Sequence, residues 1–105
     1  MIYSVHISEK AGTDMHNIFD YIAYSLNSFR TAVSMLGLLE KEILSLEQMP
    51  ERYGRYEKEP WFSRGLRAMP VKNYCVLYYS DRDTQIVDIV RVLYGKRNIE
   101  TELNS

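Results

Sequence analysis

The chain has 105 residues, 46% of them hydrophobic and 26% charged, which is typical of one compact domain and excludes a disordered polymer. Thirteen lysines and arginines against fourteen aspartates and glutamates give a net charge of −1, which excludes a uniformly basic protein that coats nucleic acid. The single cysteine, Cys75, excludes an internal disulfide framework and a multi-cysteine zinc site. We expect one domain over residues 1–105.

The sequence shows neither a secretory signal nor a membrane span. Met1 leads directly into Ile2 and Tyr3, without a basic start followed by an apolar stretch. The longest unbroken apolar run, Tyr74 to Tyr79, is too short to cross a bilayer. These features predict a cytoplasmic protein with no membrane partner.

Charge is distributed unevenly along the chain. Residues 1–50 carry three basic and six acidic side chains, whereas residues 61–98 carry seven basic and three acidic ones. This asymmetry fits a surface for a polyanion or an acidic partner, and it fits equally a scatter of solvated charges.

The first predicted elements are a strand and a helical hairpin. Apolar and polar residues alternate over 3–7, a period of two that predicts a half-buried strand. From Ser8, a suitable N-cap, the apolar spacing changes to 3.6 residues and predicts a helix over about 9–26. A second helical stripe follows Asn27-Ser28 and ends near Met49-Pro50. Because the connection is so short, the two helices are expected to be antiparallel.

A polar loop over residues 50–60, rich in proline, glycine and charge, leads to three predicted strands. They cover 66–71, 73–80 and 85–94. Pro70 places the first of them at an edge or a bulge, because proline cannot donate to a ladder. The other two are almost continuously apolar, so both faces of the sheet are expected to be covered in part.

The element order β-α-α-β-β-β, followed by a basic tail and a helical spacing between Ile99 and Leu103, predicts an α+β fold. In this fold a helical hairpin packs on a small, mainly antiparallel β-sheet.

Two arginines interrupt the apolar strands, Arg67 and Arg91. Each predicts either an anion contact on the sheet or a structural ion pair, since a buried guanidinium needs acceptors. For Arg91 the structural partner would be Asp88 or a glutamate of the helical hairpin. If the strand register brings the two arginines together, they form a bidentate site for phosphate or carboxylate.

The tail after the last strand combines a phenol with two cations, Tyr94, Lys96 and Arg97. This combination favours a phosphate and base contact over a merely solvated terminus. His6 and His16 lie on different elements and have no designated partner. No metal-ligand spacing, Gly-rich phosphate loop or nucleophile elbow is present, so we predict no metal and no cofactor.

Five segments share their order and spacing with a known family: residues 3–8, 14–22, 49–53, 65–74 and, most strongly, Ile89-Val90-Arg91-Val92-Leu93-Tyr94-Gly95-Lys96-Arg97-Asn98-Ile99. On these segments the chain resembles the RelE/ParE superfamily, the toxins of bacterial type II toxin–antitoxin modules. The fold of that superfamily, a helical hairpin against a small antiparallel sheet, agrees with the fold predicted from periodicity.

The resemblance implies a growth-inhibiting toxin with a cognate antitoxin and a role in plasmid stabilization. The flexible C-terminal part of such an antitoxin folds over the toxin, as a helix or strand along its groove and sheet. Operator DNA would be contacted only indirectly, through the antitoxin. RelE-like members are ribosome-dependent mRNA endoribonucleases, whereas ParE-like members are not nucleases and poison DNA gyrase.

Two positions favour the ParE-like branch. RelE-type nucleases usually carry an arginine directly after the tyrosine of the middle sheet strand, whereas here Tyr74 is followed by Cys75. Leu103 stands where a nuclease tyrosine is expected. The alternatives are a RelE-like nuclease and a non-toxic remnant that only binds its antitoxin.

The site residues differ slightly between these hypotheses. For a nuclease, the catalytic candidates are Arg67, Arg91, Tyr94, Lys96 and Arg97. For binding of the target or the antitoxin, the candidates are Arg67, Lys72, Arg91, Tyr94, Lys96 and Arg97.

Overall fold

The computed structural model describes residues 2–95 and 99–104. The elements in chain order are β1 (Ser4–Ile7), α1 (Glu9–Asp20), α2 (Phe29–Leu44), α3 (Trp61–Arg64), β2 (Arg67–Val71), β3 (Tyr74–Asp81), β4 (Ile86–Tyr94) and α4 (Ile99–Leu103). The predicted order of strands and helices is confirmed, and the four-residue α3 is an addition that the sequence pattern did not predict.

The four strands form one sheet in the order β1-β4-β3-β2. β1 runs parallel to β4, and the other two pairings are antiparallel, so the sheet is mixed but mainly antiparallel as expected. β2 is an edge strand, which accommodates Pro70 because the missing N–H is not needed there.

α1 begins as predicted, because the Ser8 hydroxyl oxygen accepts a hydrogen bond from the Ala11 N–H at 3.1 Å. Its regular geometry ends at Asp20 and gives way to one π-helical segment over Tyr21–Ser25. Leu26, at which the predicted helix ends, is 56% exposed just after that segment. The wide π-helical turn therefore changes the face that the end of the helix presents.

α2 begins after Ser28, whose hydroxyl donates to the Thr31 hydroxyl at 2.7 Å and makes no backbone cap. It ends at Leu44, earlier than predicted, and a 3-10 turn over Ser45–Glu47 follows. A second 3-10 turn, Pro50–Arg52, lies in the segment predicted as loop. The chain thus leaves the hairpin through two tight turns rather than one long helix.

Apolar side chains form a cluster on each face of the sheet. Between the hairpin and the sheet, the largest fully buried side chain is Tyr78, whose hydroxyl donates to the Pro50 carbonyl at 2.5 Å. The cluster on the other face is built by residues of α3, β3 and α4 and by the residue before β2: Trp61, Leu66, Cys75, Leu77 and Ile99. Both faces are covered, as the apolar strands predicted. In the described part of the chain, no helix is long and apolar enough to cross a membrane.

Candidate functional site

A groove of about 870 Å³ opens between the connected end of the helical hairpin, where α1 leads into α2, and the last residues of β4. Its wall is largely apolar and aromatic, with contributions from the hairpin, the start of β3 and α4, among them Ile18, Tyr21, Ile22, Leu26, Tyr74 and Ile99. Concave apolar surfaces of this kind are typical binding sites for a ligand or a partner segment.

The groove exists because β1 is shorter than its neighbour. β1 ends at Ile7, which pairs with Ile89, whereas β4 continues to Tyr94. The chain then turns into α1, which crosses above the sheet instead of extending it. The final residues of β4 therefore have no strand beside them on that edge within the described residues.

An ion-pair network stands at the polar end of the groove. Arg91 on β4 donates to Asp14 on α1 through Nε at 2.8 Å and Nη2 at 2.9 Å. It also donates through Nη1 to the main-chain carbonyl of Glu102 at 3.0 Å and through Nη2 to the Glu102 carboxylate at 3.3 Å. The Val92 N–H donates to the same Asp14 carboxylate at 2.9 Å. The network joins α1, β4 and α4.

The two carboxylates of this network differ in accessibility. The side chains of Arg91 and Asp14 are 13% and 12% exposed, whereas that of Glu102 is 44% exposed. The hydrogen bond to Asp14 raises the pKa of Arg91, so its guanidinium stays charged. Arg91 therefore forms structural ion pairs with Asp14 of the hairpin and Glu102 of α4. The partners predicted from the sequence were Asp88 or a glutamate of the hairpin.

Arg67 lies in a different environment. Its Nη1 donates to the Tyr53 carbonyl at 2.6 Å and to the Glu51 carbonyl at 3.2 Å. Arg67 and Arg91 pair with successive residues of β3, Tyr78 and Leu77, whose side chains belong to the clusters on opposite faces. The structure therefore does not bring the two arginines into one site.

Tyr94 and Lys72 both line a second, smaller cavity. Tyr94 is 68% exposed and packs edge-to-face on Tyr74, with ring centroids 5.5 Å apart. Burial raises the pKa of Tyr74. Both tyrosines line the groove and also a cavity of about 330 Å³ that Lys72 borders. The predicted contacts of Lys96 and Arg97 lie outside the described residues.

The cysteine and the two histidines lie at positions typical of structural or solvent-facing residues. Cys75 is 5% exposed, so its thiol is buried. His6 is exposed on β1, and His16 lies 3.1 Å from Asp20 on α1. Among residues 2–95 and 99–104, no three His, Cys, Asp or Glu side chains are grouped as metal ligands.

Sequence reasoning missed the hairpin side of the groove. Ile18 belongs to the helical apolar spacing of residues 9–26, and nothing in that pattern distinguishes Asp14 or Tyr21. Tyr21 is 57% exposed at the groove, where the π-helical segment begins. A 3.6-residue spacing shows which residues share a face, but it does not show whether that face is covered.

Comparisons with known proteins agree with this architecture. The protein-family model of the ParE toxin of type II toxin–antitoxin systems, parDE, matches residues 5–99. No curated protein sequence gives a significant match to this chain.

Three solved structures are similar in fold. A chain of the chromosomal ParDE TA system from P. aeruginosa superposes with a TM-score of 0.75 at 17% identity, over 90% of this chain and 98% of that one. The toxin–antitoxin complex RelBE2 from Mycobacterium tuberculosis gives 0.63 at 21% identity, over 90% and 99%. A mutant of the E. coli toxin RelE in the free state gives 0.65 at 12% identity, over 99% and 92%.

Proposed function

We propose that this chain, which belongs to the ParE toxin family of type II toxin–antitoxin systems, inhibits growth by poisoning DNA gyrase. A cognate antitoxin neutralises it by occupying the groove between the helical hairpin and β4. In this proposal the toxin acts in the cytoplasm, and it contacts operator DNA only through the antitoxin. Stable inheritance of a plasmid or chromosomal segment is the biological consequence.

The hydrogen bonds that Arg67 and Arg91 already make favour gyrase over RNA as the target. Cleavage of RNA without metal or histidine relies on cations that are free to bind the phosphate and its developing charge. Arg91 instead makes four hydrogen bonds to Asp14 and Glu102, and Arg67 donates to main-chain carbonyls. Cys75 occupies the middle-strand position where the nuclease branch has an arginine, and its thiol is buried. This arrangement supports a binding protein rather than a nuclease.

The groove supports the antitoxin part of the proposal. Tyr21 and Leu26 are 57% and 56% exposed, and both line the groove. Covering such side chains releases about 25 cal/mol for each square ångström of apolar surface removed from water. A segment that orders in the groove would therefore stabilise the toxin and block any surface that overlaps it.

One observation favours the nuclease alternative. The Tyr94 phenol is 68% exposed at the groove, beside the cavity that Lys72 borders. An exposed tyrosine at a cavity that a lysine also lines is suited to a base and phosphate contact. We therefore retain ribosome-dependent mRNA cleavage as the second candidate function.

Expression of the chain without antitoxin separates these functions in one culture. The gyrase hypothesis predicts filamentous cells and induction of the DNA-damage response, with transcripts intact. Transcripts cut at ribosomal A-site positions without DNA damage would favour the nuclease. Normal growth with abundant folded protein would instead identify a non-toxic antitoxin-binding remnant.

A further inference from the structure

One side of α2 carries exposed apolar side chains. Phe29, Val33 and Leu44 are 63%, 51% and 56% exposed. They are separated by about one and about three helical turns, so they lie on the same side of the helix, which we call the outer face of α2. The groove is lined by residues from a different side of α2, Thr31 and Met35. The outer face is therefore a second apolar surface, distinct from the groove.

Gly37 lies on the outer face, in the middle of α2, and the chain itself gives no reason for a glycine there. Glycine is unfavourable inside a helix, because it loses more backbone freedom on folding than other residues. Gly37 does not have a left-handed φ. Beyond its own helical turns, no atom of the described chain lies within 4 Å of the position that a Cβ would take. The close approach of a second molecule would explain this glycine.

Two opposite charges flank Gly37 on the same face. Arg30 and Glu40 are both exposed. In residues 2–95 and 99–104, neither side chain forms an ion pair. Ten helical residues separate their Cα atoms by about 15 Å along the axis, too far for the two to pair within one copy. Each can therefore pair with an opposite charge on another molecule.

The outer face is complementary to itself. Three pairs of its residues share one midpoint, at the level of Met35: Arg30 with Glu40, Val33 with Gly37, and Phe29 with Lys41. A twofold axis at that level brings each residue of one copy to its pair mate on the other. A guanidinium then meets a carboxylate, a branched side chain meets the space above a glycine, and an ammonium meets an aromatic ring. Each of these contacts is made twice.

We propose that two copies of this chain associate through the outer faces of their α2 helices, antiparallel and related by that twofold axis. Association covers the exposed apolar side chains of both copies. A pair of 16-residue helices offers less surface than a standard interface, so the dimer should be weak, with a Kd in the micromolar range. The groove is on another side of α2, so both grooves stay open in the dimer. The inference does not depend on the cellular target.

Sedimentation velocity of the purified full-length chain, without antitoxin, tests the association. The average mass should rise from the 12.4 kDa of one copy toward twice that value as the concentration increases from about 1 to about 300 μM. A chain that stays monomeric over the whole range would overturn the inference.

Charge reversal tests which face is used. Arg30→Glu places carboxylates opposite each other in the dimer, and Glu40→Arg does the same with guanidinium groups, so each variant alone should dimerise about tenfold more weakly. An equimolar mixture of the two variants restores both ion pairs and should associate as tightly as the wild type. The matched control is Arg64→Glu, the same charge change at an exposed residue of α3 across the sheet, which should dimerise normally. A mixture that associates no better than the separate variants would overturn the inference.

A substitution at Gly37 tests the close approach of the helices. Gly37→Gln fills the space that Val33 of the second copy would occupy, so dimerisation should weaken by about tenfold or more. The thermal unfolding midpoint of the dilute monomer should not fall, because glutamine is a better helix former than glycine. Undiminished dimerisation of a folded Gly37→Gln variant would overturn the proposed packing.

Discussion

Asp14 and Arg91 are 77 positions apart in the sequence, yet the carboxylate of one accepts two hydrogen bonds from the guanidinium of the other. The same carboxylate also accepts the Val92 N–H. This pair holds α1 against β4 where β1 has ended, and it fixes the polar end of the groove. It also explains why an arginine is tolerated in an otherwise apolar strand.

Removal of the Arg91 guanidinium should therefore destabilise the fold. Arg91→Ala leaves the Asp14 carboxylate, 12% exposed, without its cation, and we expect a loss of roughly 3 kcal/mol in unfolding free energy. Urea titration monitored by circular dichroism measures the change. The matched control is Arg82→Ala, which breaks an ion pair to Glu51 whose arginine side chain is 76% exposed and should have little effect. Equal effects of the two substitutions would show that the Asp14 pair has no special structural role.

The C-terminal helix should depend on one anchor, Ile99. α4 has only five residues and is too short to be stable alone, and Ile99 is 2% exposed in the cluster that contains Trp61. Ile99→Ala should lower the unfolding free energy by about 2–4 kcal/mol. Because Trp61 is the only tryptophan, a red shift of its emission in the folded variant reports exposure of this cluster. Ile2→Ala, at a position 65% exposed, serves as the control. An unchanged spectrum and stability in Ile99→Ala would contradict the anchor.

Stability at alkaline pH should depend on Tyr78. Burial raises the pKa of Tyr78 to about 12, above its ordinary value of 10.0. The folded state thus retains a proton that the unfolded chain releases, and the resulting stabilisation is complete below pH 10 and lost as the pH rises from about 10 to about 12. Tyr78→Phe lacks this titration and should be less stable by about 1 kcal/mol near neutral pH, because the bond to the Pro50 carbonyl is lost.

The difference in unfolding free energy between wild type and Tyr78→Phe should consequently shrink above pH 10. Chemical denaturation of both proteins measures it, at several pH values from about 7, where the phenol is protonated in both states, to about 11.5, where it is ionised in the unfolded chain. A difference that stays constant across this range would argue against a buried phenol.

The hairpin offers a matched pair of tyrosines for testing the groove. Tyr21 lines the groove and Tyr24, although 73% exposed on the same π-helical segment, is not among its described lining residues. Tyr21→Ala should weaken antitoxin binding by about tenfold or more, whereas Tyr24→Ala should bind normally. Isothermal titration calorimetry of both variants makes the comparison. A larger loss from Tyr24→Ala would place the antitoxin on the outer surface of the hairpin.

Local pattern was sufficient to predict most of the architecture. The alternation before Ser8 and the helical spacing after it report local burial, so β1, the hairpin and the three later strands follow from the sequence. Pro70 indicated an edge or a bulge through its missing donor, and its strand, β2, lies at an edge. The π-helical segment at Tyr21 was not predictable, because it widens the helix without altering the order of apolar residues.

The candidate site could not be predicted from local pattern, because it depends on contacts between elements that are far apart in the sequence. Arg91 was singled out correctly as an arginine in need of acceptors, but its partner Asp14 is on another element and only the fold pairs them. The groove itself results from the difference in length between β1 and β4. That difference cannot be read from any single segment of the sequence.

The most direct test of the account is the action of the purified chain on DNA gyrase with a closed circular plasmid. We predict that the chain inhibits negative supercoiling and that gyrase-cleaved linear plasmid accumulates. Saturation with the cognate antitoxin should abolish both effects. Normal supercoiling without cleaved plasmid, in the presence of a large excess of folded chain, would contradict the proposed function.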